Sequence, residues 1–229
     1  MKSQAYVILF MVVMAAIFGA GVTGINLVSE STLEANAAYL RDRALVEVLN
    51  LGDLDSLSKA DVAALVAERV DQEEVCKDPE TGWTFKLIKA YEDAEKTRLA
   101  AYAFRFRGPG FWAPIEGILA VEPGLERTCG LTILEQSETP GLGGRVAEPV
   151  FLDQFVEENG ILIAPSDTGR TVVLNSERAG DRCLDGITGA TQTSMAMERI
   201  LNQYLACFHR AVSNRGTGTN GHTERIPEE

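Results

Sequence analysis

The hydrophobic period of this chain changes twice. From Ala5 to Val28 no charge interrupts the run AYVILFMVVMAAIFGAGVTGINLV. As a helix such a run crosses a hydrocarbon core of about 30 Å. A cleaved signal peptide is the competing reading. Its apolar region is shorter, about 7–15 residues, and small residues follow it, as Ala15 to Gly24 do here. The length of the run favours a retained anchor. Beyond it, ESTLEANAAYLRDRALVEVLNL keeps a helical period, with Leu33, Ala37, Leu40, Ala44, Leu45, Val48 and Leu49 near one face. This predicts that the membrane helix continues into water. LSKADVAALVAERVDQ predicts a second amphipathic helix, with Ser58 as its N-cap.

The period then shortens to two. Trp83, Phe85 and Leu87 alternate with polar residues in WTFKLIK, as do Tyr102, Phe104 and Phe106 in AYAFRF. IEGILAV and GLTILEQ are two further strand-like runs, and GPGFW (Gly108 to Trp112) and EPG (Glu122 to Gly124) mark turns. The simplest arrangement is an antiparallel meander of four strands. EPVFLDQF suggests a short helix, while ILIA and RTVVL suggest short strands. A last helix begins near Ala190 or Thr191. Its apolar positions Met197, Ile200, Leu201, Tyr204, Leu205 and Phe208 follow the i, i+3, i+4 spacing of a core-facing stripe. The tail SNRGTGTNGHTERIPEE reads as disordered. The expected class is α+β: an N-terminal transmembrane helix, then a single domain with a mainly antiparallel sheet and flanking helices. The expected division is an anchor over 1–29, a helical membrane-proximal region over 30–80, the main domain over 81–210 and a disordered tail over 211–229.

Composition narrows the chemistry. The chain has 229 residues, 45% hydrophobic and 24% charged, enough for a packed core. A formal net charge of -12 argues against nucleic acid as a partner, because phosphate backbones need clustered Lys and Arg. Cys76, Cys129, Cys183 and Cys207 form no CxxC pair, and the two histidines are His209 and His222. Neither a zinc site nor a Ser/His/Asp triad is supported. The cysteines read as buried apolar residues, with a disulfide open to them if the domain is exported. Lys2 precedes the apolar run, whereas Glu30 and Glu34 follow it before Arg41 and Arg43. The positive-inside rule therefore votes for an inside N-terminus and an outside domain.

Two motifs carry candidate chemistry. DGITGATQTS, Asp185 to Ser194, leads into the last helix. A helix N-terminus offers unpaired N–H groups and the positive end of the dipole, which suits a phosphate. Gly189 and Ala190 leave room for one, and Thr188, Thr191, Thr193 and Ser194 offer hydroxyls. An ordinary helix cap explains the same residues. ETPGLGG, Glu138 to Gly144, is a tight loop whose glycines let a backbone approach a flat ligand. A plain turn is its alternative reading.

Together, ETPGLGG and DGITGATQTS behind one membrane helix resemble the covalent FMN-binding domain family. That family includes the C subunit of the sodium-translocating NADH:quinone reductase (Nqr) and the G subunit of the Rnf complex. Its pattern Asp-x-x-Ser/Thr-Gly-Ala-Thr is matched by Asp185, Thr188, Gly189, Ala190 and Thr191. The resemblance implies that a flavin transferase recognises these five residues and joins FMN through its phosphate to the Thr191 hydroxyl. It further implies that Glu138, Thr139, Gly141, Leu142 and Gly143 wrap the flavin ring. Thr188 and Ser194 would meet phosphate oxygens. Trp112 is a candidate stacking partner, although ordinary packing beside a turn would also account for it.

The resemblance covers roughly Gly108 to Leu205. GFWAPIEGILAV and GLTILEQSETPGLGG look like Nqr, while DGITGATQTSMAMERILN looks at least as much like Rnf. The implied function is electron relay within an ion-translocating NADH:quinone or ferredoxin:NAD oxidoreductase, with no substrate chemistry of its own. Its partners would be the other membrane proteins of such a complex. The implied place is a bacterial inner membrane, crossed once, with the domain on the periplasmic side. A stand-alone anchored FMN protein and a non-redox adaptor are the alternatives.

Overall fold

The structure is a computed structural model that describes residues 4–71, 74–156, 160–163, 172–175 and 180–213. It divides into two compact units, Met1–Asp42 and Arg43–Glu229. One helix, α1 (Gln4–Val48), runs from the first unit into the second, so the apolar run and the amphipathic stretch are a single helix. Within it Tyr6–Glu30 is long and apolar enough to cross a membrane. Its side chains stand exposed, Val22 at 69% and Phe18 at 66%. Apolar surface displayed on all sides of a helix this long needs an apolar surrounding. The expected second stripe is used only at its end. Ala44, Leu45, Val48 and Leu49 are buried, whereas Leu33 and Leu40 stay about 60% exposed.

The second unit is built on five antiparallel strands in the order β1 (Glu74–Lys77), β2 (Thr84–Tyr91), β3 (Leu99–Pro109), β4 (Pro114–Val121) and β5 (Thr128–Glu135). All four predicted strands are present. The sequence reading lacks β1, because EVCK buries a single side chain, Cys76, and so shows no alternation. The two faces of the sheet differ in size. Phe85, Leu87, Phe104, Phe106 and Leu119 face the final helix, α4 (Thr191–Ser213), through Met197, Ile200, Leu201, Leu205 and Phe208. The other face carries Ile88, Ala90, Ala101, Ala103, Ile118 and Ala120 beneath the end of α1. Large side chains thus form the main core, and alanines let a helix end settle on the reverse side.

Helix α2 (Lys59–Arg69) has the predicted N-cap. The Ser58 hydroxyl accepts from the Asp61 N–H, and the Asp61 carboxylate accepts from the Ser58 N–H, a reciprocal capping box. EPVFLDQF forms α3 (Pro149–Leu152) followed by a 3-10 turn. Of ILIA, Leu162 lies beside the start of β5 through a bridge to Arg127. Within RTVVL, Val173–Leu174 form β6, paired in parallel with β7 (Cys183–Leu184). Ala164, Arg170, Thr171, residues 214–229 of the expected tail and the Lys2 that set the expected orientation all lie outside the described residues. No disulfide joins the four cysteines; Cys76 and Cys207 are buried as expected, whereas Cys129 and Cys183 are only half-buried. Burial pushes the Cys129 thiol up to about 11, which disfavours the reactive thiolate.

Helix α4 is fastened at several heights. The Tyr204 hydroxyl accepts from the Arg107 N–H at 2.9 Å and donates to the Arg107 carbonyl at 3.0 Å. Arg199 donates to the Pro109 carbonyl at 3.0 Å. Between them sits Gly108, where a Cβ would lie 2.5 Å from the Ile200 side chain, so only glycine lets the helix come this close. Near the other end Arg210 makes a two-point ion pair with the fully buried Asp78, at 3.0 and 2.6 Å. These contacts fix both the height and the rotation of α4 over the sheet, and with them the position of its first turn.

Candidate functional site

The first turn of α4 opens onto a cleft of about 260 Å3. Three segments enclose it: the β3–β4 turn at Phe111 and Trp112, the Glu138–Gly143 loop, and Gly189 to Thr193. The two sequence motifs, about fifty residues apart, therefore meet. Its volume lies just under the small-molecule range of roughly 300–1,000 Å3, so a larger ligand would extend past the rim.

Local chemistry explains why this helix mouth stays open. The residue before α4 is Ala190, which has no side-chain acceptor to cap it. The Ala190 N–H bonds to the Ile187 carbonyl, and the Ser194 N–H is already bonded to the Ala190 carbonyl. The N–H groups between, on Thr191, Gln192 and Thr193, belong to the turn that a helix leaves without internal partners. Gly189 makes the bend into the helix with a φ of 80°, in the left-handed region that disfavours other residues.

The four hydroxyls separate cleanly. Thr191 is exposed and lines the cleft, and its hydroxyl makes no hydrogen bond among the described residues. Thr193 is buried and donates to Glu138 Oε2 at 2.8 Å. Ser194, expected to meet phosphate, instead faces inward at 1% exposure. Its hydroxyl accepts from the Ile187 N–H at 2.9 Å and donates to the Ala190 carbonyl at 3.1 Å, so it shapes the loop. Thr188 is exposed but lines a neighbouring hollow with Asp185, Arg145 and Gln154. Asp185 is itself exposed, and Gln154 holds its backbone by accepting from its N–H at 2.7 Å and donating to its carbonyl at 3.4 Å. The motif's acid is thus offered outward from a fixed backbone.

The ETPGLGG loop plays a different part from the one its glycines suggest. Glu138 is buried at 5% exposure. Its Oε1 accepts from the Phe111 and Trp112 N–H groups at 2.8 and 3.0 Å. A Cβ on Gly143 would lie 2.5 Å from Thr193 Oγ1 and 2.9 Å from Glu138 Oε2, and one on Gly110 would lie 2.5 Å from Glu138 Oε1. These two glycines make room for the carboxylate and its donors rather than for a ligand. Thr139 and Leu142 do line the cleft, Leu142 at 44% exposure, while Gly141 sits on the open side of the loop.

Trp112 is 69% exposed, which removes the packing explanation for it. It stands edge to face with Phe111, their rings 5.1 Å apart. Phe111, at 54% exposure, and Gln192 are cleft residues that the sequence reading missed. The dipeptide Phe-Trp at a turn was the available signal for Phe111. Among the described residues no Lys, Arg or His lines the cleft, and Glu138 is its one ionisable side chain.

Comparison with known proteins points the same way. Residues 110–206 match the family model described as FMN-binding domain. The C subunit of the Na(+)-translocating NADH-quinone reductase of Chlamydia pneumoniae is 33% identical over 129 residues, which is 50% of this chain but only 40% of that protein. Its counterpart in Vibrio anguillarum is 28% identical over 194 residues, 80% of this chain and 73% of its own length. The crystal structure of the corresponding protein from Parabacteroides distasonis shares the fold, with a TM-score of 0.66 at 20% identity over 83% of this chain and 98% of that one.

Proposed function

We propose, from the match of residues 110–206 to the FMN-binding domain family, that this chain is the membrane-anchored flavoprotein subunit of an Nqr-type oxidoreductase. FMN is held covalently, as a phosphoester on Thr191, and the protein relays electrons between other redox centres of the complex. The observation that carries this reading is the free, exposed Thr191 hydroxyl at an uncapped helix mouth, opening onto a cleft edged by two exposed aromatic rings.

The residues present fit the flavin. Bound FMN supplies the one- and two-electron chemistry that no side chain here can supply. The first turn of α4 supplies N–H donors and the positive end of its dipole for the phosphate. Leu142, Phe111 and Trp112 supply apolar surface for the ring. A free phosphate monoester carries a charge of about −1.5 to −2 near neutral pH. No cation in the cleft lining would balance it. Esterification to Thr191 leaves a phosphodiester with a single charge, and the tether replaces affinity that the site does not otherwise provide.

The remaining parts of the reading follow from this. Asp185, Thr188, Gly189 and Ala190 are recognised by the flavin transferase, and the outward presentation of Asp185 supports that role. The Tyr6–Glu30 segment anchors the chain in the inner membrane, with the flavin domain on the periplasmic side. The partners are the other membrane proteins of a sodium-translocating NADH-quinone reductase, following the relatives named above.

Intact-mass analysis of the membrane-extracted chain, made with a flavin transferase, tests the linkage. The expected gain is FMN minus one water, lost in Thr191→Ala. An unmodified wild-type chain under those conditions would sink the reading. Co-purification then identifies the complex, and a periplasm-specific reporter fused after residue 213 tests the orientation.

A further inference from the structure

Two carboxylates are buried in the described part of the second unit, Asp78 and Glu138. Asp78 has a guanidinium beside it. Glu138 has two backbone N–H groups and one hydroxyl, all formally neutral, and no Lys or Arg bonds to it among the described residues. Those three donors come from two separate segments. The N–H groups belong to the aromatic turn, and the hydroxyl belongs to Thr193 on the first turn of α4, two residues past Thr191. A Cβ on Gly110 would lie 2.5 Å from one oxygen of this carboxylate and one on Gly143 2.9 Å from the other, so both positions need glycine.

We propose that Glu138 is a positioning residue with two consequences for the site: it locks the aromatic turn to the attachment helix, and it sets a fixed negative charge at the cleft that lowers the reduction potential of the bound flavin. The proposal rests on the flavin reading above and deepens it. Locking follows from geometry, because Phe111 and Trp112 are exposed and Glu138 supplies the side-chain contact that pins their backbone. The electrostatic effect follows from the missing cation. An electron taken up without a proton by a flavin ring held here would add one negative charge to the cleft. A nearby buried carboxylate with no counter-charge opposes that addition, and the screening it would have in water is reduced.

Two measurements on the full chain in detergent test the two consequences. The first needs no flavin: amide hydrogen exchange at Phe111 and Trp112, read by NMR. Exposed turn amides exchange fast unless they are bonded, so slow exchange is expected in the wild type. It should be lost in Glu138→Ala and partly kept in Glu138→Gln, whose amide oxygen still accepts. Fast exchange in the wild type overturns the locking role. The second is a mediated potential titration of flavin-loaded wild type and Glu138→Gln at one pH. The variant should reduce at a more positive potential, and an equal or lower potential overturns the electrostatic role. Glu138→Gln is nearly isosteric, which keeps the test valid if the alanine variant does not fold. A failed flavin reading shows as a missing mass gain, whereas a failed Glu138 proposal shows in exchange rates or in the potential of chains that carry the mass.

Discussion

The two ends of α4 solve opposite problems with the same kind of group. Near its C-terminus the helix meets Asp78, and near its N-terminus it meets Glu138. Asp78 is saturated by charge: Arg210 forks onto both oxygens, Thr81 donates at 2.5 Å, and the Glu80 N–H donates at 3.1 Å. That end is finished chemically and serves to hold the helix down. At the other end the carboxylate gathers neutral donors, the helix mouth has an alanine where a cap would stand, and Thr191 is left with a free hydroxyl. The contrast separates anchoring from function within a single helix of 23 residues. The anchored end fixes where the unfinished end must be.

Breaking each end should therefore produce different losses. Thr191→Ala should remove all attached flavin, as measured by intact mass, while changing unfolding free energy by less than about 0.5 kcal/mol, the usual range for an exposed side chain. Asp78→Ala should do the reverse. It removes one partner of a buried pair and should cost about 3 kcal/mol in a denaturant titration, with the flavin mass still gained by the folded fraction. Arg210 keeps 30% of its side-chain exposure, which holds the cost to the low end.

The same pair sharpens the contrast through pH. Arg210 and the other donors hold the Asp78 carboxyl far below its ordinary value of about 3.9. A carboxyl depressed by folding adds stability above its unfolded value, and that stability drains away as pH falls toward the folded value. Unfolding free energy should decline below about pH 4, and Asp78→Asn should flatten that part of the decline. Acid denaturation followed by circular dichroism reads both.

Smaller effects test what lies between and beyond the two ends. Gly108→Ala places a methyl against Ile200 and should cost about 1–3 kcal/mol by overpacking, with α4 lifted from β3. Ser58→Ala removes a true cap from another helix and should cost about 1 kcal/mol, with flavin loading unchanged. If the Thr191 and Ser58 alanine variants lost similar stability, the distinction between a capped and an uncapped helix mouth would fail.

Legibility in the sequence followed the range of each signal. The meander, the α2 cap, the α4 stripe and the two motifs are local patterns, and each appears in the structure where its period or spacing puts it. Strand β1 was silent because four residues with one buried side chain carry no period. The Asp78–Arg210 pair joins positions 132 apart, and nothing in either neighbourhood announces the other. Glu138 was visible as a charge at a loop, the usual mark of a surface residue, and only the fold turns it inward. Ser194 and Thr191 are three residues apart and chemically alike, yet one is buried against the loop and the other opens onto the cleft.

Tyr204 has a bearing on self-association. The ladder between β2 and β3 ends at Leu87 and Phe104, three residues short of Arg107, so β3 has a bare edge there. The phenol occupies both groups of the Arg107 peptide that would otherwise recruit a strand from another chain. A helix side chain thus closes a gap in the sheet, and Tyr204→Phe, which keeps the ring and deletes the oxygen, would reopen a two-bond template for strand addition.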